Sequence, residues 1–322
     1  MKNLIGVLTV GFAVAIAPGA LADSPAAPPP WAYPVNPPGV QPAPDDGTPR
    51  HVAGSSASFS LTRIRDLFNP PDWHPADHPP MPDIVAHGAK PGVFACGYCH
   101  LPNGLGRPEN ASLAGLPAVY LIQQLADFKS GARKSAEPRS LPASLMVTVA
   151  KAVSEADVKA AAEYFSSLPR TPWIRVVEAD RVPQTKVAGW MLVSSEPGAT
   201  EPIGHRIVEM PEDLARTELR DSASGFVAYV PVGSIAEGEA LTTTGGAGKT
   251  IACAICHGAD LRGLGPIPGL AGRSPSYIVR QLYDIQHGVR NGTWTDLMKP
   301  VVARLTEEDM VAIAAYAASR AP

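Results

Sequence analysis

Four cysteines occur in the 322-residue chain, and they sit in two identical settings. Cys96-Gly97-Tyr98-Cys99-His100 and Cys253-Ala254-Ile255-Cys256-His257 both read C-x-x-C-H. Two cysteines three positions apart lie on one helical turn. From there they can bond the two vinyl groups along one edge of a haem. The following histidine then falls under the iron as its proximal ligand. A thiol-disulfide pair needs no histidine and no second copy. A shared zinc site wants two knuckles at close spacing, whereas these pairs are 157 residues apart. Two such motifs that use every cysteine point to two covalently bound haem c groups.

The same offset of 157 extends beyond the motifs. Leu113-Ala114-Gly115 matches Leu270-Ala271-Gly272. Tyr120 matches Tyr277, and Gln124-Leu125 matches Gln281-Leu282. Asp127, Gly131 and Arg133 match Asp284, Gly288 and Arg290. After a five-residue deletion the offset becomes 152, and Met146 matches Met298, Glu155 matches Glu307, Asp157 matches Asp309, and Tyr164 matches Tyr316. The chain therefore carries two copies of one unit.

Each copy reads as helical. Pro117 opens a helix that Gly131 closes, and the matching helix runs from about Pro275 to Gly288. The last helix of each copy opens on a capping box, Ser154-Glu155-Ala156-Asp157 and Thr306-Glu307-Glu308-Asp309. Apolar residues then recur on one face at Val158, Ala161, Ala162 and Phe165, and at Met310, Ile313, Ala314 and Ala317. An iron that only passes electrons needs a second axial ligand, and methionine is a common one. Met146 and Met298 stand at equivalent places before the last helix of each copy. A methionine is more often core packing, but repeat symmetry favours ligation here. Met310, inside the last helix, reads as core, and Met81, before the first motif, reads as a non-ligand.

In these stretches the sequence resembles the class I cytochrome c family, and within it the periplasmic dihaem cytochromes of two tandem class I domains. The resemblance covers residues 84–170 and 233–320. It implies a mainly α fold, two tandem helical domains each around a haem, with His100/Met146 and His257/Met298 as iron ligands. Such proteins often use a proline carbonyl to orient the proximal histidine. Pro268 fits that role in copy two. Copy one has Ala111 at that register with Pro108 nearby, which leaves the partner of His100 open.

The remaining sequence divides into a leader, an extension and an intervening segment. Lys2, an apolar run from Leu4 to Ala17, and Ala20-Leu21-Ala22 before Asp23 read as a secretory signal cleaved after Ala22. The run is short for a membrane anchor, so a periplasmic mature protein without a transmembrane span is expected. Residues 23–50, rich in proline and alanine, read as an extended or disordered leader. Residues 51–83 form an extension with a short helix over 60–68 and a segment, Trp73-His74-Pro75-Ala76-Asp77-His78, whose histidines read as solvated loop residues rather than a metal site. Residues 171–232 contain β-like runs at 173–177, 187–193 and 226–230. They serve either as a cover over the haem domains or as a docking surface, and the sequence leaves both open. Thr243 to Thr250 ends Gly-Lys-Thr but lacks the first glycine of a phosphate loop.

The formal net charge of −3 offers no basic footprint for nucleic acid. The function expected is electron transfer between redox proteins, a donor dehydrogenase and an acceptor cytochrome or oxidase, with no catalytic residue of its own. A cytochrome subunit of a dehydrogenase complex is the alternative. A haem enzyme of peroxidase or thiosulfate-oxidising type is a third reading. It would need an open iron, or a histidine ligand from His51, His74, His78, His87, His205 or His287, none of which the repeat supports.

Overall fold

The computed structural model describes residues 27–322; the secretory signal and the first four leader residues lie outside them. The elements run α1 (Leu61–Ile64), α2 (Asp83–Ala86), α3 (Cys96–His100), α4 (Ala118–Ser130), α5 (Leu141–Ala152) and α6 (Glu155–Ser167). The strands β1 (Ile174–Glu178), β2 (Arg181–Pro183), β3 (Thr185–Ala188), β4 (Met191–Ser194), β5 (Thr200–Pro202) and β6 (Val208–Pro211) follow. Then come α7 (Leu214–Glu218), β7 (Phe226–Val230), α8 (Ser234–Thr244), α9 (Ala254–His257), α10 (Pro275–Gln286), a 3-10 turn (Thr293–Leu297), α11 (Lys299–Val302) and α12 (Glu307–Ser319).

The helices of the two copies begin and end for the same local reasons. Pro117 stands at the N-cap of α4, and Gly131 closes it in the left-handed region at φ 78°. The equivalent α10 starts at Pro275 and stops at Gln286, just short of Gly288. Ser154 accepts the backbone N–H of Asp157 at the start of α6. Its hydroxyl also donates to the Asp157 carboxylate at 2.7 Å. Thr306 does the same for Asp309 at α12, where the carboxylate also accepts the backbone N–H of Thr306, completing a capping box.

Each copy builds its own core. Ile84, Val85, Leu105, Leu121, Ala162 and Phe165 are buried together in the first. Leu261, Ile278, Leu282, Met310, Ile313 and Ala314 lie in the second. Met310 is thus a core residue, as its helical position suggests. The second copy has a long helix, α8, before its haem motif. Its α8 lies against α12 so closely that a Cβ on Gly238 would fall 1.9 Å from the Ala312 carbonyl oxygen. The first copy has only the short turns α1 and α2 before its haem motif.

Residues 171–232 form a small β unit that joins the two cores. β7 pairs in parallel with β1 and antiparallel with β6. Phe226 enters the first core, while Ala228 and Val230 enter the second. The run 187–193 is not one strand. It turns at Gly189 and Trp190, both at positive φ (59° and 67°), so that β3 and β4 form a hairpin. The pair β2–β5 and strand β6 carry no run long enough to announce them in the sequence.

Three expectations for the N-terminal region need correction. The helix over 60–68 is one turn, Leu61–Ile64. Past it, the Asp66 carboxylate accepts the Phe68 N–H at 2.9 Å, a local bond that competes with helix continuation. The leader has no helix or strand among residues 27–50, yet it is not free in solvent. Ala32 and Tyr33 are buried in the second core, and the Tyr33 hydroxyl donates to Asp284 Oδ1 at 2.7 Å. The histidines of the 73–78 segment are not solvated either. His74 Nε2 bonds Asp221 Oδ1 at 2.8 Å, with side-chain exposures of 10% and 0%. His78 Nε2 bonds Asp72 at 3.2 Å. No group of three or more potential metal-ligating side chains is gathered among the described residues.

Candidate functional site

Both C-x-x-C-H motifs form a single helical turn, and both turns are stopped the same way. Leu101 and Gly258, directly after the histidines, have left-handed φ of 60° and 85°. The chain then doubles back beneath the histidine. Gly106 donates to the His100 carbonyl at 2.9 Å, and Gly263 to the His257 carbonyl at 2.8 Å. Farther along, Leu113 and Ala114 donate to Gly104, as Leu270 and Ala271 donate to Leu261. The Leu-Ala-Gly step is thereby fixed against the haem-motif loop. Gly115 and Gly272 close it onto the last helix, bonding the carbonyls of Phe165 and Ala317 at 3.0 Å each.

This loop orients the histidines. Both imidazoles are 7% exposed. His100 Nδ1 lies 2.8 Å from the Ala111 carbonyl oxygen, and His257 Nδ1 lies 2.7 Å from the Pro268 carbonyl oxygen. A carbonyl only accepts, so Nδ1 carries the proton and Nε2 keeps a lone pair for a metal. Burial holds both imidazoles below their usual pKa range, which preserves the neutral, ligating form. The proline expected at this register proves dispensable. What matters is a backbone carbonyl at that position, and Ala111 supplies it.

The cysteines are unpaired. Burial pushes the Cys96 thiol up to about 12 and Cys253 up to about 11, and raises Cys99 as well. Such thiols are poor thiolates, which argues against thiol-disulfide exchange. Their pairing on one turn beside an oriented, neutral histidine suits tethering of a macrocycle. The methionines are less symmetric than the sequence suggests. Met146 lies within α5, half-buried, and Met298 lies at the junction of the 3-10 turn and α11, half-buried against the second core. Met81 packs against the first core, with its sulfur 3.7 Å from where a Gly97 Cβ would stand.

Between the copies lies a polar seam built largely from residues that match across the repeat. Arg133, Arg290, Gln124, Asp127 and Asp284 are all buried there. Arg133 and Arg290 form an antiparallel bridge, flanked by Lys134 N–H to Val289 O and Asn291 N–H to Ala132 O. Their guanidiniums interlock with Tyr120, Tyr277 and Gln281. The Nε of Arg290 is buried with no protein acceptor.

Two helical units, each with a haem-attachment turn and an oriented histidine, define a c-type cytochrome of two domains. No protein-family profile matches the chain. It is 30% identical over 237 residues to a thiosulfate dehydrogenase electron acceptor from Thiomonas intermedia, covering 72% of this chain and 81% of that protein. It is 27% identical over 239 residues to cytochrome c4 of Azotobacter vinelandii, covering 73% and 87%. A solved cytochrome c4 from Acidithiobacillus ferrooxidans aligns over 70% of this chain and 98% of that one, at 24% identity and a TM-score of 0.45. The chain belongs to the dihaem class I cytochromes c, the family of cytochrome c4 and the thiosulfate dehydrogenase electron acceptors. It is an electron-transfer protein with two covalent haem c groups and not itself an enzyme. It works with redox partners, and no helix among its described residues is long and apolar enough to cross a membrane.

Proposed function

We propose that Cys96 and Cys99 tether one haem and Cys253 and Cys256 the other, with His100/Met146 and His257/Met298 as the axial pairs. The observation that carries this reading is the matched hydrogen bond from each histidine Nδ1 to a carbonyl eleven residues on, which leaves Nε2 available in both copies. Haem supplies reversible one-electron iron chemistry, and His/Met ligation favours a raised potential. The chain orients each imidazole and excludes water through the two apolar cores. Haem also carries two propionates. The buried arginine pair at the seam, with Arg290 Nε unsatisfied, offers charge of the sign such carboxylates require.

The working role is electron transfer in the periplasm, with the secretory signal cleaved after Ala22, between a donor dehydrogenase and an acceptor cytochrome or oxidase. A second reading is favoured by the Thiomonas relative, whose name is that of an electron acceptor for thiosulfate dehydrogenase. By that reading this chain is the electron-accepting subunit of a periplasmic dehydrogenase complex. Copurification from the native periplasm separates the two: a stable dehydrogenase partner supports the subunit role, and a free monomer supports the mobile carrier. The ligand assignment is tested by the ferric methionine-to-iron band near ~695 nm, which two His/Met haems display and an open haem lacks.

A further inference from the structure

The two copies share one backbone plan, but the loop after the haem motif meets opposite surroundings. In copy one Arg107 is 9% exposed, and its repeat counterpart in copy two, Leu264, is 62% exposed. Pro102, Leu105 and Pro108 are buried, while their counterparts Ala259, Arg262 and Gly265 are exposed. Tyr98 is half-buried, and Ile255 is 69% exposed. Cys99 is half-buried, and Cys256 is exposed.

Residues 217–222 of the intervening segment hold this loop at Tyr98, Asn103 and Arg107, while the Pro108 carbonyl is held by Arg280 of the second copy. Arg220 lays its guanidinium 3.6 Å over the Tyr98 ring and donates to the Tyr98 carbonyl at 2.7 Å. Asn103 donates to the Ser222 carbonyl at 2.6 Å, and Arg107 to the Thr217 carbonyl at 3.4 Å. The cap is itself anchored. Trp73 Nε1 donates to the Leu219 carbonyl at 2.8 Å. Asp221 is held between His74 and Arg216. Arg220 keeps a left-handed φ of 57°, a conformation that costs a non-glycine residue and persists only where the surroundings enforce it. N-terminal extension and intervening segment thus cooperate to hold one short stretch against the first haem motif.

We propose that residues 217–222 cap the Tyr98–Cys99 edge of the first haem motif and make the exposed Ile255–Cys256 edge of the second motif the port through which electrons enter and leave the protein. This rests on the haem assignment above and adds a point of exchange to it. With haem held at both motifs, an external one-electron donor would be oxidised as the Cys253–His257 site is reduced, and that electron would then reduce the Cys96–His100 site and reoxidise the second. Electron exchange weakens as protein intervenes between donor and haem edge, so the less covered edge is the favoured port.

The test uses the full two-haem protein, oxidised, mixed with dithionite at low ionic strength in a stopped-flow spectrometer. Leu264→Glu places a negative charge on the exposed loop of copy two, and Ile255→Glu is a second variant with the same aim. Each is expected to slow reduction of all the haem about threefold or more, because the reductant is anionic. Glu218→Lys changes the charge on the exposed side of the cap and is expected to leave the rate within about twofold of the parent. The proposal is overturned if the copy-two variants slow only half of the absorbance change, or if Glu218→Lys accelerates reduction as strongly as the others retard it. A haemochrome count on the same samples keeps the underlying reading separate: fewer than two haems per parent chain contradicts the haem assignment, whatever the rates.

Discussion

Arg133 and Arg290 are repeat equivalents, and each reaches across into the other copy. Arg133 Nη2 donates to Tyr277 Oη at 2.8 Å and to Gln281 Oε1 at 2.9 Å. Arg290 Nη2 donates to Tyr120 Oη at 3.0 Å and to Gln124 Oε1 at 2.9 Å. Tyr120 and Tyr277, Gln124 and Gln281 are also equivalents. The seam is therefore a pseudo-two-fold interface within one chain, built as a dimer interface of identical subunits would be.

The symmetry has an energetic consequence. Gln124 Oε1 accepts from both arginines, and so does Gln281 Oε1. Removing one arginine leaves each amide still bonded, whereas removing both strips the seam. Arg133→Ala and Arg290→Ala should each cost about 1.5–3 kcal/mol, with similar values. The double variant should depart from their sum. Denaturant unfolding of the four proteins checks this.

The methionine assignment separates by substitution. Met146→Ala and Met298→Ala should each remove about half of the ferric band near ~695 nm and admit carbon monoxide to one reduced haem. Met81→Ala should leave the band intact. If Met81→Ala removes it and Met146→Ala does not, the ligand in copy one is Met81.

Packing at α8–α12 leaves no room for a side chain at residue 238. Gly238→Ala drives a Cβ into the Ala312 backbone carbonyl. The helices must separate, at a cost of about 1–3 kcal/mol. Thermal unfolding should show a lowered midpoint, while substitution of Gly248, around which there is open space for a Cβ, is limited to the cost of its positive φ.

Glu209 gives a pH dependence with a definite sign. Its carboxylate is buried, accepts from Ser274 and Ser276, and leaves Oε1 without a partner. Burial pushes its pKa above the ordinary value of 4.5, against the hydroxyls and Arg280, which pull it down. A raised folded pKa means that its contribution to stability is fully present below the unfolded pKa and declines as pH rises through the folded one. Relative to Glu209→Gln, the parent should therefore lose stability as pH rises from about 4.5 upward. Urea titrations of both proteins at several pH values read that difference directly.

Local signals carried most of what the sequence revealed. C-x-x-C-H spacing, the offset of 157, Pro117 with Gly131, and Ser154 and Thr306 as caps all act within a few residues or repeat in register. What escaped depends on distant partners. Tyr33 is ordered by Asp284, 251 residues away, a contact that a reading of the leader as extended or disordered could not supply. His74 is ordered by Asp221, 147 residues away. β2 and β5, three residues each, exist only as a pair. The carbonyl of Ala111 replaced an expected proline because a backbone oxygen does not depend on residue type. The unequal covering of the two haem motifs could not be read from two near-identical motifs, since the residues that hold Tyr98, Asn103 and Arg107, 217–222, lie outside the repeat.

The central claim is that both sites hold closed, electron-carrying haems. Its most direct measurement is a carbon monoxide titration of the dithionite-reduced protein, with haem quantified as pyridine haemochrome in the same sample. Two haems per chain and an unchanged spectrum at saturating carbon monoxide are the expected result. One haem per chain, or a carbon monoxide shift in either, contradicts it.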